Sequence, residues 1–253
     1  MTDHTEISEG DGILTLTLTR DEKRNAISPE ITAALWEAAR EVAGRDDLRA
    51  LLITARGRYF SAGYDLASAP TPDSLTTGSA FRTFYRKHHL LYDEMEALEK
   101  PVILAAQGPC LGAGLEMACS CDFRLAAESA YFQLPEVALG MVPGSGGVSR
   151  LTRLVGPHWA KWVAMANQKV DARQALAIGL VHQVLPDEGF HEAAHEFARE
   201  LVTLPGETLG AVKLAVAMAS EVDLATARNV ERLTNSYLFL GESFTEGTRR
   251  LKP

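Results

Sequence analysis

Hydrophobic and polar residues follow two kinds of spacing in the first two thirds of the chain. Residues 13–19 read ILTLTLT, an alternation that predicts a half-buried strand. Residues 50–54 (ALLIT) and 101–107 (PVILAAQ) are apolar runs, typical of strands that are covered on both faces. Apolar residues spaced by three and four predict helices over residues 28–44 and 81–98. Strands alternating with helices predict an α/β fold.

The rest of the chain is predicted to be mainly helical. Strand-like segments at residues 123–126 and 131–133 precede a glycine-rich stretch, and helical spacing dominates from there to the end. Beyond residue 190 the predicted helices carry apolar stripes such as the one formed by Leu209, Val212, Val216 and Ala219. A helical extension with such stripes needs a partner to bury them, which predicts self-association. We therefore expect a core over residues 1–190 and a helical oligomerisation region over residues 191–253.

Composition and charge narrow the class of protein. Of the 253 residues 46% are hydrophobic and 23% charged, a balance typical of a globular protein with a sizeable core. The longest uncharged run, residues 101–115, falls short of the roughly 20 apolar residues that a membrane-spanning helix needs. The formal net charge of −8 argues against nucleic acid or an anionic membrane as the main partner. The acidic start lacks the features of a signal peptide, so we expect a cytoplasmic protein.

Cysteine and histidine residues, which often bind metal ions, do not indicate a metal site here. The three cysteines are Cys110, Cys119 and Cys121. Their odd number and the lack of a C-x-x-C pair argue against a set of disulfides and against a zinc site. We therefore expect buried, reduced thiols. Residues 191–195 read HEAAH, the H-E-x-x-H pattern of zinc peptidases. The apolar face of this predicted helix leaves both histidines on its flank, so we expect a solvated helix. A zinc peptidase is the alternative.

Two glycine-containing loops follow predicted strands and could bind a developing negative charge. Residues 112–114 (GAG) lead from a strand directly into a helix, and residues 60–66 (FSAGYDL) follow the strand at residues 50–54. Backbone N–H groups at such turns point outward, and two of them suit the oxygen of an enolate. Tight packing of a helix on a strand also requires glycine, so a purely structural role for these glycines is the alternative.

Two glutamates near these loops are candidates for acid/base chemistry. Glu116 lies in GLEMAC and Glu136 in LPEVALG, so both have apolar neighbours. An acid in apolar surroundings has a raised pKa and exchanges protons near neutral pH. For either residue alone, a structural acid at a helix end or in an ion pair is the alternative.

Five segments carry a family resemblance in their order and spacing. They are RNAIS (24–28), YFSAGYDL (59–66), GPCLGAGLEMACSCDFRLA (108–126), FQLPEVALGMVPGSGGVSRL (132–151) and ALAIGLVHQVLP (175–186). Through them the chain resembles the crotonase superfamily, and more narrowly the enoyl-CoA hydratase/isomerase family. The resemblance implies a crotonase-like spiral of ββα units, with a C-terminal helical region that forms homotrimers or, as dimers of trimers, homohexamers. It also implies a coenzyme A thioester as the substrate.

Matching the family's motifs to this sequence assigns roles to individual residues. The resemblance implies that the backbone N–H groups of Tyr64 and Ala113 hold the thioester oxygen, although a small residue and a glycine are more usual there. It implies that Glu116 activates water and that Glu136 delivers a proton to C2, as in an enoyl-CoA hydratase. We expect Tyr64 to reshape the acyl pocket. Neither a metal nor a redox cofactor is expected. Contacts with the substrate and its coenzyme A portion are expected from Arg24, Ala26, Ala62, Asp65, Leu66 and Gly112.

Other functions stay open from the sequence. The same fold and oxyanion site serve isomerisation, thioester hydrolysis and decarboxylation, so each is an alternative within the superfamily. A non-catalytic acyl-CoA-binding protein is the alternative from another class, and the presence of both glutamates weighs against it. Arg56 and Arg58 precede the first loop and are candidates for binding the phosphates of coenzyme A, with solvated arginines as the alternative.

Overall fold

A computed structural model describes residues 4–71, 73–74 and 76–251. These residues form nine strands and nine α-helices. The strands are β1 (Thr5–Gly10), β2 (Ile13–Leu18), β3 (Ala50–Ala55), β4 (Val102–Ala106), β5 (Cys110–Leu111), β6 (Phe123–Ala127), β7 (Tyr131–Gln133), β8 (Val170–Asp171) and β9 (Gln183–Leu185). The helices are α1 (Pro29–Gly44), α2 (Gly78–Ala97), α3 (Ala113–Cys119), α4 (Ser149–Ala160), α5 (Ala172–Ala177), α6 (Phe190–Val202), α7 (Gly206–Ala219), α8 (Leu224–Leu238) and α9 (Glu242–Leu251).

The strands form two sheets. The larger sheet has the order β1-β2-β3-β4-β6-β9, in which β1 and β2 pair antiparallel and all the other neighbours are parallel. The smaller sheet has the order β5-β7-β8. Because β3 and β4 are parallel neighbours, the loops that follow them emerge at the same edge of the sheet.

One prediction about a strand was wrong, and two short strands were missed. The strand β2, which was predicted to be half-buried, is almost fully buried. Even its polar residue Thr15 is only 4% exposed. The reason is that β2 lies between β1 and β3 and also contacts α1 and α6, so both of its faces are largely covered. After the glycine-rich stretch helices dominate, as predicted, but two short strands, β8 and β9, lie between them and were not predicted. Strands of two and three residues are too short to show a period in the sequence.

The core has one hydrophobic cluster on each side of the larger sheet. The larger cluster joins this sheet to α1, α2 and α3. The smaller one packs the buried face of α6 against β2, β3, β4 and β6. The helices α7 and α8 lie further out, with one buried residue each, Gly210 and Ala227. The division into residues 1–190 and 191–253 stays a prediction.

Within the described ranges, no single helix is long and apolar enough to cross a membrane. The helices α6 and α7 meet those two criteria only as a pair, and the chain bends by 98° between them.

Candidate active site

The first glycine-containing loop, residues 60–66, is fixed by buried polar side chains. Asn25 is fully buried and its Nδ2 donates hydrogen bonds of 2.8 Å to the carbonyls of Arg56 and Tyr59. Ser61 Oγ donates to the Asn25 carbonyl at 2.8 Å and accepts from the Gly63 N–H at 3.1 Å. The sequence did not identify Asn25 as a functional residue. Its signal is a polar residue inside the RNAIS segment, and its role is to hold this loop in place.

Two unpaired backbone donors meet where this loop approaches α3. A Cβ atom on Gly63, whose φ is +99°, would lie 3.5 Å from the Ala113 nitrogen. Hydrogen bonds from Ile27 N–H to the Gly63 carbonyl and from Asp65 N–H to the Ile27 carbonyl bracket Tyr64 but leave its own N–H unused. Ala113 is the first residue of α3, so its N–H has no acceptor within the helix. Neither N–H donates to any residue in the described ranges.

Gly112 brings the second loop close to a glutamate. Its φ of 51° and ψ of −125° are a conformation that residues with a Cβ rarely adopt. A Cβ atom there would lie 2.8 Å from Glu136 Oε1, so a side chain would displace the carboxylate. The Gly112 N–H donates to the Gln133 carbonyl at 3.0 Å, which joins the start of α3 to β7. Gly112 therefore acts through its backbone.

Glu116 is held inside the protein by backbone donors. It is 3% exposed, and its Oε1 accepts hydrogen bonds from the N–H groups of Ser145 at 2.7 Å and Gly147 at 3.1 Å. Burial, followed by the negative charge of Glu136, raises the pKa of Glu116 to about 7, and the two backbone hydrogen bonds oppose that rise. A carboxyl group with such a pKa gains or loses a proton near neutral pH.

Glu136 has different surroundings. It lies on a short 3₁₀-helix, Pro135–Leu139, directly after β7. Its Oε2 is buried and has no hydrogen-bond partner among the described residues. Burial raises the pKa of Glu136. Because burial raises the pKa of both carboxyl groups and the charge of Glu136 raises that of Glu116 further, the state in which both are ionised is disfavoured.

A tyrosine that the sequence did not single out lies beside the two glutamates. The Tyr85 ring of α2 contacts Gly144, where a Cβ atom would lie 2.8 Å from the phenol oxygen. Burial raises the pKa of Tyr85, and the charge of Glu116 raises it further. A contact between residues so far apart in the chain leaves no local pattern in the sequence.

The residues predicted to contact the substrate differ in how far their side chains are exposed. Arg24 is exposed, with its guanidinium 5.5 Å from the centre of the Tyr59 ring. Leu66 is 65% exposed. Ala26 and Ala62 are half-buried. Ala62 and Leu66 belong to the first loop, and all four positions stay predicted contacts.

Asp65, also a predicted contact, is engaged within the protein. One carboxylate oxygen lies 2.6 Å from Arg20 Nη1, and the other accepts from the Ala67 N–H at 3.1 Å. The hydrogen bond from Arg20 is the main reason why the pKa of Asp65 is lowered. The side chain therefore orders the loop, and the ion pair with Arg20 was not predicted from the sequence.

The Tyr64 side chain packs against α2. Its ring meets the His88 ring edge-on, with centroids 5.3 Å apart. Both rings line a groove of about 410 Å³ whose other walls include Trp36 of α1 and Phe84 of α2. The N–H of Tyr64 and its ring thus serve different parts of the fold, and the effect of the ring on the acyl pocket stays a prediction.

The H-E-x-x-H segment lies at the start of α6, and two of its residues are engaged elsewhere. His191 Nδ1 lies 3.0 Å from Thr54 Oγ1, and Glu192 forms an ion pair of 2.5 Å with Arg199. Across the part of the chain that the structure describes, no three or more His, Cys, Asp or Glu side chains are grouped so that they could hold a metal ion.

Arg56 and Arg58 were candidates for binding phosphates. Arg56 forms an exposed ion pair of 2.5 Å with Glu6. Arg58 places its guanidinium 5.9 Å from the centre of the Tyr59 ring. Both stay on the surface beside the first loop.

Comparisons with known proteins identify relatives of this chain. The sequence profile described as enoyl-CoA hydratase/isomerase matches residues 8–252. The 1,2-epoxyphenylacetyl-CoA isomerase of Escherichia coli (strain K12) is 36% identical over 227 residues, which are 87% of this chain and 84% of that protein. The 2,3-dehydroadipyl-CoA hydratase of the same strain is 33% identical over 241 residues, 95% of this chain and 92% of that protein. A crystal structure of enoyl-CoA hydratase from Bacillus anthracis has a TM-score of 0.90 and 27% identity, and the match covers 98% of this chain and 95% of that one.

Proposed function

The chain belongs to the enoyl-CoA hydratase/isomerase family of the crotonase superfamily, and from this premise we propose that it is an enoyl-CoA hydratase. The likeness to the solved hydratases confirms the crotonase-like α/β fold with a C-terminal helical region that the sequence predicted. The proposed reaction adds water across the 2,3 double bond of a 2-enoyl-CoA thioester. It needs two oxyanion donors and two carboxyl groups.

The proposed reaction begins at the thioester carbonyl. The N–H groups of Tyr64 and Ala113 hold its oxygen and draw electrons from the conjugated double bond, which makes C3 electrophilic. Ionised Glu116 takes a proton from water while the water oxygen forms a bond to C3. The electron pair of the double bond moves towards C2 and the thioester oxygen, and protonated Glu136 delivers its proton to C2. The proton on Glu116 then returns to Glu136 before the next cycle.

The observation that carries the proposal is the contrast between the two carboxyl groups. Glu116 accepts two backbone hydrogen bonds, while Glu136 presents a buried oxygen with no partner in the described structure. Hydration needs one ionised and one protonated carboxyl group at the same pH, and the burial of both groups disfavours the state in which both are ionised.

An isomerase is the second candidate, because one relative of 36% identity carries that name. An isomerase moves a proton between carbons and would depend on Glu136 alone. Thioester hydrolysis and decarboxylation are further crotonase reactions that the same oxyanion donors would support.

Substitution of each glutamate by glutamine tests the proposal. We expect Glu116→Gln and Glu136→Gln each to lower kcat for hydration by about 10² to 10⁴-fold, since each removes one proton transfer. KM should change far less, because the backbone donors remain. The double variant should be little worse than either single one. The assay follows the loss of the conjugated enoyl absorbance on short, long, branched and aromatic thioesters.

The variants also separate the candidates. Full hydration by Glu116→Gln would show that Glu116 is not the base. Isomerisation that survives Glu116→Gln but not Glu136→Gln would favour the isomerase. A wild-type protein that binds acyl-CoA and turns over no thioester would favour the non-catalytic binding protein.

The remaining parts of the proposal concern surroundings and assembly. We expect a homotrimer or homohexamer with an acyl-CoA substrate, and neither nucleic acid nor membrane as a partner. The proposed proton transfers call for no metal or redox cofactor. All three cysteines are unpaired and buried, which supports a reducing, cytoplasmic setting.

A further inference from the structure

The Tyr85 ring is held in one orientation by its neighbours on α2. The Phe81 ring stacks on it at 5.3 Å with an interplanar angle of 23°. The His89 ring meets it edge-on at 5.4 Å. Contacts one helical turn away on both sides fix the direction in which the phenol points.

The phenol points at the turn that holds Glu116. A Cβ atom on Gly144 would lie 2.5 Å from Tyr85 Cε1 and 2.8 Å from its phenol oxygen, so only glycine allows this approach. The next residue, Ser145, donates its N–H to Glu116 Oε1 at 2.7 Å. Tyr85 and Glu116 therefore contact adjacent residues of one turn.

The phenol has a hydrogen to donate. Burial, followed by the charge of Glu116, raises the pKa of the phenol, and contacts with the Ser145 side chain and the Gly144 backbone oppose that rise, so the phenol stays protonated. Tyr92, further along α2, provides a contrast because its hydroxyl donates to the Ala113 carbonyl at 3.1 Å. No carbonyl or carboxylate among the described residues accepts a comparable bond from Tyr85.

We propose that Tyr85 is a third catalytic residue, whose phenol donates a hydrogen bond to the oxygen of the attacking water. The inference rests on the proposed hydratase function. One lone pair of the water oxygen accepts from Tyr85, the other attacks C3, and a water proton passes to Glu116. Tyr85 neither gains nor loses a proton. In the reverse direction the same bond holds the 3-hydroxyl group as it leaves.

Two reactions of Tyr85→Phe test this role. The first is hydration of crotonyl-CoA, which needs the water. The second is exchange of a C2 proton of butyryl-CoA for deuterium in D₂O, which needs the oxyanion donors and Glu136 but no nucleophile at C3. We expect kcat for hydration to fall about tenfold, the effect of one hydrogen bond, with KM changed less than about twofold. Deuterium exchange should proceed at the wild-type rate.

The test has one control variant and three outcomes that would contradict the proposal. Tyr237→Phe removes a hydroxyl from a side chain that is 70% exposed on α8 and should alter neither reaction. Equal losses in both reactions of Tyr85→Phe would show that the ring only supports the fold, which overturns the proposal, as would full hydration by that variant. A wild-type protein that exchanges deuterium but hydrates no enoyl-CoA would overturn the proposed function and this inference with it.

Discussion

At the scale of single residues, what contacts a carboxyl group decides which proton state it keeps. Glu116 accepts two N–H groups yet is almost completely buried, so its ionised form is only partly stabilised. The pKa of Asp65, in a nearby loop, is shifted in the opposite direction. It is lowered because the Arg20 guanidinium lies 2.6 Å from the carboxylate. The first residue is poised for chemistry and the second is fixed as an anion, although both are acids in glycine-containing motifs.

The raised pKa of Glu116 predicts a stability cost that depends on pH. The unfolded chain releases this proton near pH 4.5 and the folded protein near pH 7, so between those values the folded state binds more protons. The free energy of unfolding should therefore fall as the pH rises through that range, by about 3 kcal/mol in total. Glu116→Gln removes the effect. We expect its Tm to exceed that of the wild type increasingly from about pH 4.5 to about pH 7.5.

An exposed residue provides the control for this measurement. Glu207→Gln removes a charge from the surface of α7 and should give a Tm difference that does not grow with pH. A constant difference for Glu116→Gln as well would contradict the assignment of a proton near pH 7 to the folded state.

At the scale of elements, local patterns predicted those helices and strands whose signals lie within a few residues. The helix predicted from residue 28 is α1, which Ser28 caps by accepting the Ile31 N–H, and the apolar runs form β3 and β4. The exposed, acidic edge strand β1 was missed because its residues Glu6 and Glu9 carry no burial pattern. The glutamates and glycines of the site could be identified because they lie in short motifs. Tyr85 and Asn25 could not, since their partners lie far along the chain.

One ion pair links α7 to the core, and we predict that it stabilises the folded protein. Lys213 Nζ lies 2.7 Å from Asp122 Oδ2, and their side chains are 15% and 21% exposed. Lys213→Met would leave the carboxylate buried without its cation, and we expect a loss of about 3 kcal/mol in the free energy of unfolding, measured in urea. Adding Asp122→Asn to Lys213→Met should restore part of that loss. A double variant that is less stable by the sum of both single losses would show that the two residues do not interact.

At the scale of the whole molecule, the outer helices leave much apolar surface uncovered in one chain. The exposed fractions reach 66% for Val216, 72% for Leu233 and 84% for Leu240. Exposed apolar surface on this scale is typical of regions that bind another protein surface. The predicted stripe on α7 contributes through Val212 and Val216, which are both exposed.

This surface predicts assembly. We expect a trimer or hexamer by light scattering at micromolar concentration, and a smaller species for the double variant Leu233→Asp/Leu240→Asp. Leu66→Asp is the matched control, because Leu66 is 65% exposed but belongs to the first loop and not to the outer helices, and we expect it to leave the molecular mass unchanged. A wild-type monomer under these conditions would contradict the prediction.

The order of strands in the larger sheet has a consequence for how the protein is made. The sheet order β1-β2-β3-β4-β6-β9 follows the order of the chain, so each new strand joins the edge that its predecessor has just formed. A ribosome releases the N-terminal part first, at roughly 5–20 residues per second. In this topology every strand of the larger sheet after the first can pair with a strand that has already been synthesised. The nascent chain can therefore extend its sheet during synthesis, and the segments that carry the two glutamates emerge when β1 to β4 are already available as a scaffold.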